Sequence, residues 1–196
     1  MPHKISSKLY ALVAATFLAA CPVTAPAQET FAPPPAGPDG AHDFDFLIGS
    51  WKAHLRRRLD PLTGSNTWVD YNGTSLTRHV LDSNADLEAF DVDSPASHLH
   101  IHAETLRLYD IKTRQWSIYL LDVTKGTLGL PATVGVFTNG RGAFFDQEQW
   151  RGRWIEVRYE WTHADSGEAH MEQAFSTDGG KTWEVNWVCE LIRMGA

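Results

Sequence analysis

The stretch richest in chemistry is His98-Leu99-His100-Ile101-His102-Ala103-Glu104. In an extended chain alternate residues share a face. His98, His100, His102 and Glu104 therefore project together, with neighbours ~7 Å apart at Cα. Two adjacent imidazoles at that spacing can share one metal ion at Zn–N distances of about 2.0–2.1 Å, whereas three on a straight strand reach it poorly. Leu106 and Leu108 continue the histidine face, while Leu99, Ile101 and Ala103 line the other. Both apolar sets can point inward only if the ladder carries a bulge near Glu104. Facing inward, His98, His100 and His102 make a metal or catalytic site. Facing outward they make a solvated strip, and a third reading satisfies them by hydrogen bonds inside.

A second set is cationic. Arg107 and Tyr109 follow on the same run, and Arg158 alternates with Glu156 and Glu160 opposite Ile155, Val157, Tyr159 and Trp161. One reading is an exposed, charge-laced face. The other makes Arg107, Tyr109 and Arg158 ligand-binding, with the guanidiniums gripping a carboxylate as bidentate donors. No nucleophile elbow, Walker loop, CxxC or dinucleotide fingerprint occurs. Nothing fixes any two acids at the ~5–9 Å of a glycosidase pair. These residues name no cofactor, and a haem-binding barrel of the nitrobindin type needs a well-placed inward histidine that cannot be singled out.

The elements that must position these residues are strands. From Trp51 the pattern alternates: Trp51, Ala53, Leu55 and Leu59 share one face, Lys52, His54, Arg56 and Arg58 the other, which is a half-buried strand by its period of two. Further strands are predicted near 68–74, 75–81, 87–90, 98–109, 115–122, 134–137, 142–145, 154–162, 169–176 and 183–192. Asn139-Gly140, Asp165-Ser166-Gly167 and Asp178-Gly179-Gly180 stand among the turns between them, and Asn-Gly or Asp-Gly between alternating runs marks hairpins. No long apolar stripe recurs at 3.6 spacing. The expectation is an all-β fold, a single antiparallel up-and-down barrel of about eight to ten strands.

Ile48-Gly49-Ser50-Trp51 and Arg193 favour a barrel over a sandwich. Gly49 lets the chain bend into the first strand, Trp51 plugs one end, and Arg193 on the last strand lies across its indole face. Phe44, Phe46, Leu47 and Ile48 form a short apolar knot, one turn of helix closing the floor.

Residues 1–27 read as a signal peptide: Lys4 and Lys8, an apolar run from Leu9 to Ala20, then small residues. Twelve apolar residues cannot span a bilayer core, which takes about 20 in a helix. Leu18-Ala19-Ala20-Cys21 resembles a bacterial lipobox that would anchor Cys21 through lipid, whereas Ala25-Pro26-Ala27 fits ordinary cleavage and release at Gln28. Both imply export, to the periplasm or beyond. Residues 28–40, with Pro33-Pro34-Pro35, read as a stiff spacer, and 41–196 as the barrel domain. Cys189 then has no partner for an intrachain disulfide and reads as a buried, inert thiol.

The 196 residues are 43% hydrophobic and 21% charged, with eight Trp and nine Phe, and that aromatic density favours strands. Net charge is −7, becoming −9 without the leader's two lysines. This argues against nucleic acid, whose binding rests on basic side chains, and against a general grip on anionic lipid.

Three blocks carry a family resemblance: His42 to Trp51; Leu106-Arg107-Leu108-Tyr109-Asp110 with Gln115-Trp116-Ser117-Ile118-Tyr119; and Gln173 to Trp187. Together they resemble uncharacterised bacterial proteins of domain-of-unknown-function family 1579. The resemblance implies a lipocalin-like (calycin) barrel and hands over no activity. The third block also matches the Asp-box of sialidases through Ser176, Asp178, Gly180, Thr182 and Trp183. That motif is a hairpin in which the aspartate bonds back to turn amides over a packed tryptophan, so Asp178, Gly180 and Trp183 are expected to be structural. The expected function is an exported barrel holding a small, largely apolar molecule. The rivals are a metal-dependent enzyme or metal carrier using the histidine strand, and an envelope interaction module without a ligand.

Overall fold

The computed structural model describes residues 39–81, 84–164 and 167–195; the expected leader and nearly all of the spacer lie outside them. A single 3-10 turn, Asp45–Leu47, precedes eleven strands: β1 (Gly49–Arg58), β2 (Trp68–His79), β3 (Ala85–Ser94), β4 (Leu99–Asp110), β5 (Gln115–Asp122), β6 (Thr127–Leu128), β7 (Thr133–Thr138), β8 (Arg141–Trp150), β9 (Arg153–Ala164), β10 (Glu168–Ser176) and β11 (Glu184–Arg193). Every pairing is antiparallel. β6 apart, successive strands are neighbours, with β5 pairing to β7, and β11 pairs with β1. Ten strands thus close into an up-and-down ring, and the two-residue β6 pairs with β5 alone. Among the described residues no helix is long and apolar enough to cross a membrane.

Alternation builds the wall. In β9, Ile155, Val157, Tyr159 and Trp161 are buried while Glu156, Arg158 and Glu160 face outward, and β1 buries Trp51, Ala53 and Leu55. The two strands predicted over 68–81 are one. Gly73 sits in its middle because a Cβ there would stand 2.0 Å from the Asp91 carbonyl oxygen. Glycine permits that close approach of backbones, so its appearance mid-run marks a tight strand contact rather than a turn. At Asn139-Gly140, φ angles of 52° and 76° make the tight β7–β8 hairpin.

One end is sealed. Phe44 meets Trp116, Phe137 and Trp161 edge-on and stacks on Phe144, with centroids 4.9 to 5.9 Å apart. Trp51 is buried beside this plug, its indole N–H donating to the Leu47 carbonyl at 2.7 Å. The register pairs Trp51 with Arg193, and the guanidinium carbon lies 4.2 Å from the indole centroid. The same guanidinium donates to the carbonyls of Ile48 (2.8 Å) and Phe46 (2.5 Å). Gly49 has φ +122°, and a Cβ there would come within 2.9 Å of Arg193 Nη1. The bend is therefore glycine's for two reasons, its left-handed backbone and the room the guanidinium needs.

The other end is incomplete. β7 pairs with β5 only over Trp116–Ile118 and with β8 only up to Phe145. From Asp146 to Trp150, β8 pairs with β9 alone, and β5 beyond Ile118 pairs with β4 and β6. β4 itself extends past β5, since their ladder begins at Glu104–Leu121 while the β3–β4 ladder runs on to Ser94–Leu99.

Candidate functional site

Between the plug and this incomplete end lies a chamber of about 790 Å³, within the few hundred to ~1,000 Å³ usual for small-molecule sites. Its apolar wall includes Phe90 from β3, Ile101 and Ala103 from β4, Ile118 from β5, Trp161 from β9, Met171 from β10, Trp187 and Leu191 from β11, and Leu128 of β6 also borders it. Alternation exposes small residues as well as large ones to the interior, and Ala103 and Thr105 are where the chamber gains its width.

Its polar floor is Arg107, which is wholly buried. Nη1 donates to Asp86 Oδ1 at 2.5 Å and Nη2 to Glu88 Oε2, while Ser75 Oγ donates to Glu88 Oε1 at 2.6 Å. The guanidinium also lies over the Phe44 ring at 5.0 Å and the Trp161 ring at 5.4 Å. Burial alone would weaken the guanidinium's hold on its proton, but Glu88 and Asp86 together outweigh it and keep Arg107 firmly charged. Asp86 moves the other way: burial lifts its carboxyl above the ordinary range against the pull of Arg107. Glu88 and Arg107 both border the chamber, so its inner end presents a fixed charge pair with spare acceptor capacity on the carboxylate.

The other expected ligand residues are not beside it. Tyr109 belongs to the plug, its ring 5.4 Å from that of Trp116. Arg158 is a correction: it faces outward, paired with Glu160 at 3.3 Å and lying 4.6 Å over the Trp183 ring. Its neighbours Val157 and Tyr159 take the inward positions, so the strand's own period forbids Arg158 from joining Arg107. The guanidinium that does join the chamber is Arg57, at the inward position of β1 beyond Leu55 and opposite Trp187. Among the described residues it has no ion-pair partner. Its signal was legible, since 57 continues the series 51, 53, 55.

Also unforeseen is an inward polar group beside the gap in the wall. Thr133 Oγ donates to Asp146 Oδ2 at 2.7 Å, and burial raises Asp146, Glu148 and the Tyr159 hydroxyl above their ordinary values. Cys189 borders the chamber. Burial, with Glu88 nearby, pushes its thiol up and keeps it protonated, so it is a packing residue and no nucleophile.

The histidine strand faces out. Ile101, Ala103, Arg107 and Tyr109 take the inner face of β4, and His100, His102, Glu104, Leu106 and Leu108 the outer. The β3–β4 ladder is unbroken, so of the two ways to place the apolar sets, exposure was taken and no bulge forms; Leu108 is 39% exposed. His100 Nδ1 is 2.7 Å from Asp93 Oδ1, and His102 Nδ1 is 3.2 Å from Asp91 Oδ2. His98 sits apart, in the turn before β4 with φ +53°. Among the described residues, the group whose ligand atoms come together is Asp91, His100 and His102. The imidazoles of His100 and His102 thus lie on the outer face of β4, and both residues border the chamber at its rim.

The Ser176–Trp183 turn has the expected form. Asp178 accepts from the amides of Lys181 and Thr182 and from the Thr182 hydroxyl at 2.7 to 3.0 Å. Those bonds hold its carboxyl at about 2. Gly179 and Gly180 have φ +71° and +79°, and a Cβ on Gly180 would press on Trp183 at 3.3 Å.

No family model and no curated protein matches the chain. A crystal structure of Rv2717c from M. tuberculosis is similar in fold, with a TM-score of 0.52 and 11% sequence identity over 81% of this chain and 99% of that one. At that identity the likeness extends to the barrel and no further.

Proposed function

We propose that this chain is an exported, lipocalin-like barrel that holds a small, largely apolar molecule in its chamber, and that it groups with the uncharacterised proteins of family 1579. The observation that carries the binding reading is the chamber itself. An interior lined by Phe90, Ile101, Ile118, Trp161, Met171 and Trp187, with one buried charge group at the floor, suits an apolar body with a polar end. The small inward residues of β4 keep that space open. Export rests on the leader, with its charged start, its apolar run too short to span and its small-residue cleavage sequences. The family reading rests on the three sequence blocks, of which the first builds the plug and the third the Asp178 turn.

Native mass spectrometry of the chain, purified gently from a bacterial host, is expected to show a small-molecule mass excess. An apolar environment-sensitive dye is expected to bind and to quench Trp161 and Trp187. Absence of both the excess and dye uptake would remove the binding reading. Export is checked separately by fractionation and the mass of the mature N-terminus, Gln28 if released or acylated Cys21 if anchored. Retention at full length in the cytoplasm would overturn it.

A further inference from the structure

The outer face of the β3–β4 hairpin carries a constellation at the rim of the chamber, apart from the Arg107 floor. The register sets Asp91 opposite His102 and Asp93 opposite His100. The two imidazoles lie nearly parallel, centroids 6.1 Å apart with 19° between planes. Asp91 reaches both, Oδ1 at 3.4 Å from His100 Nε2 and Oδ2 at 3.2 Å from His102 Nδ1. One ligand atom from each of Asp91, His100 and His102 already lies within 4.8 Å of the others. Small rotations about exposed side-chain bonds bring such a set to the ~2.0–2.2 Å bonds of a zinc site.

We propose that Asp91, His100 and His102 form a divalent transition-metal site on the outer wall, with Asp93 as its positioning residue. Asp93 accepts from His100 Nδ1 at 2.7 Å. That bond fixes the tautomer and leaves the Nε2 lone pair directed toward Asp91, the carboxylate–histidine arrangement by which outer-shell groups orient metal ligands. Two imidazole nitrogens and one carboxylate oxygen select borderline ions such as Zn²⁺, Cu²⁺ or Ni²⁺ over Mg²⁺ or Ca²⁺, which favour all-oxygen sites. An ordinary exposed ion pair needs one carboxylate per histidine and contributes little. Here one carboxylate is shared by two stacked rings while a second orients one of them. The site also bridges two strands where β4, from Leu99 to Ala103, has no β5 partner. A bound ion fastens the hairpin that forms one lip of the chamber.

The test is calorimetric titration of the tag-free, chelator-treated chain with Zn²⁺ alone. One equivalent is expected to bind, and binding is expected to raise the melting temperature. His100→Ala and His102→Ala are each expected to weaken binding by at least tenfold, and Asp93→Asn by about tenfold. His98→Ala and His170→Ala are expected to leave it unchanged. All these side chains are outside the core, so circular dichroism and melting without metal should match the parent chain. Should a ligand variant fail that check, Co²⁺ substitution in the unmutated chain replaces it, and visible d–d bands of a four- or five-coordinate site are expected. No saturable binding, equal loss in His98→Ala, or indifference to His100→Ala and His102→Ala would overturn the site. An unchanged affinity in Asp93→Asn would overturn the role given to Asp93.

Discussion

The two ends of this barrel are built from the same ten strands and come out opposite. At the sealed end the inward positions hold Trp51, Tyr109, Trp116, Phe144 and Trp161, and the 3-10 turn adds Phe44 and Leu47. Toward the other end the inward positions of β4 are Ile101, Ala103 and Thr105, and the wall itself stops short because β7 is six residues long beside the ten of β8. The number of strands fixes the radius. What decides between solid and hollow is the size of the inward side chains, together with where one strand runs out. Arg107 stands at the boundary, with aromatic rings on one side and the chamber on the other.

The sharpest way to break this contrast is at that boundary. Arg107→Met leaves Asp86 and Glu88 buried without their cation and is expected to cost about 3–5 kcal/mol, read by denaturant unfolding. Trp51→Ala empties part of the plug and is expected to cost a similar ~3–5 kcal/mol. Arg193→Ala removes the cation over the indole and two hydrogen bonds to carbonyls, with an expected loss of about 1–2 kcal/mol by the same measurement.

At the hollow end the expectation reverses. Ala103→Trp puts an indole into open space, so the stability change should stay below about 1 kcal/mol, against the ~1–3 kcal/mol of overpacking a filled core. Its effect belongs to binding: affinity for an apolar dye is expected to fall at least tenfold. An Ala103→Trp chain that unfolds, or binds dye as before, would show that the chamber is not where this structure places it.

The smallest expected effect is one of pH, outside both ends. Asp178 is held at about 2 against its ordinary 3.8. Its contribution to stability is therefore complete above about pH 4 and is lost as pH falls through 2. The melting-temperature gap between the parent chain and Asp178→Asn is expected to close over that window.

Much of this was legible from residue order. Gly49, Trp51 and Arg193 announced the sealed end because a bend, a large plug and a terminal cation each have few other uses in such a place. Hairpins showed through Asn139-Gly140 and the Asp178 turn, whose chemistry is local. The partners of Arg107 did not show, because Asp86 and Glu88 lie about twenty residues upstream and only the β3–β4 register brings them together. A hint was present, since those acids share a face with Phe90 and Val92, a mixture that a solvated face seldom carries. The same register explains why the histidines were grouped along one strand when the nearest third ligand, Asp91, is across the ladder. Whether Arg158 turned in or out hung on which half of an alternating strand is apolar, and its neighbours Val157 and Tyr159 outweigh it.

The seam between β1 and β11 has a mechanical meaning. It joins the first strand to the last, and the start of one lies beside the end of the other, with Met194 N–H bonded to the Ser50 carbonyl at 2.9 Å. Tension drawn through the two chain ends therefore peels this ladder rung by rung instead of shearing all of it at once. Arg193, gripping Phe46, Ile48 and the Trp51 ring, is the latch that such a pull must open first.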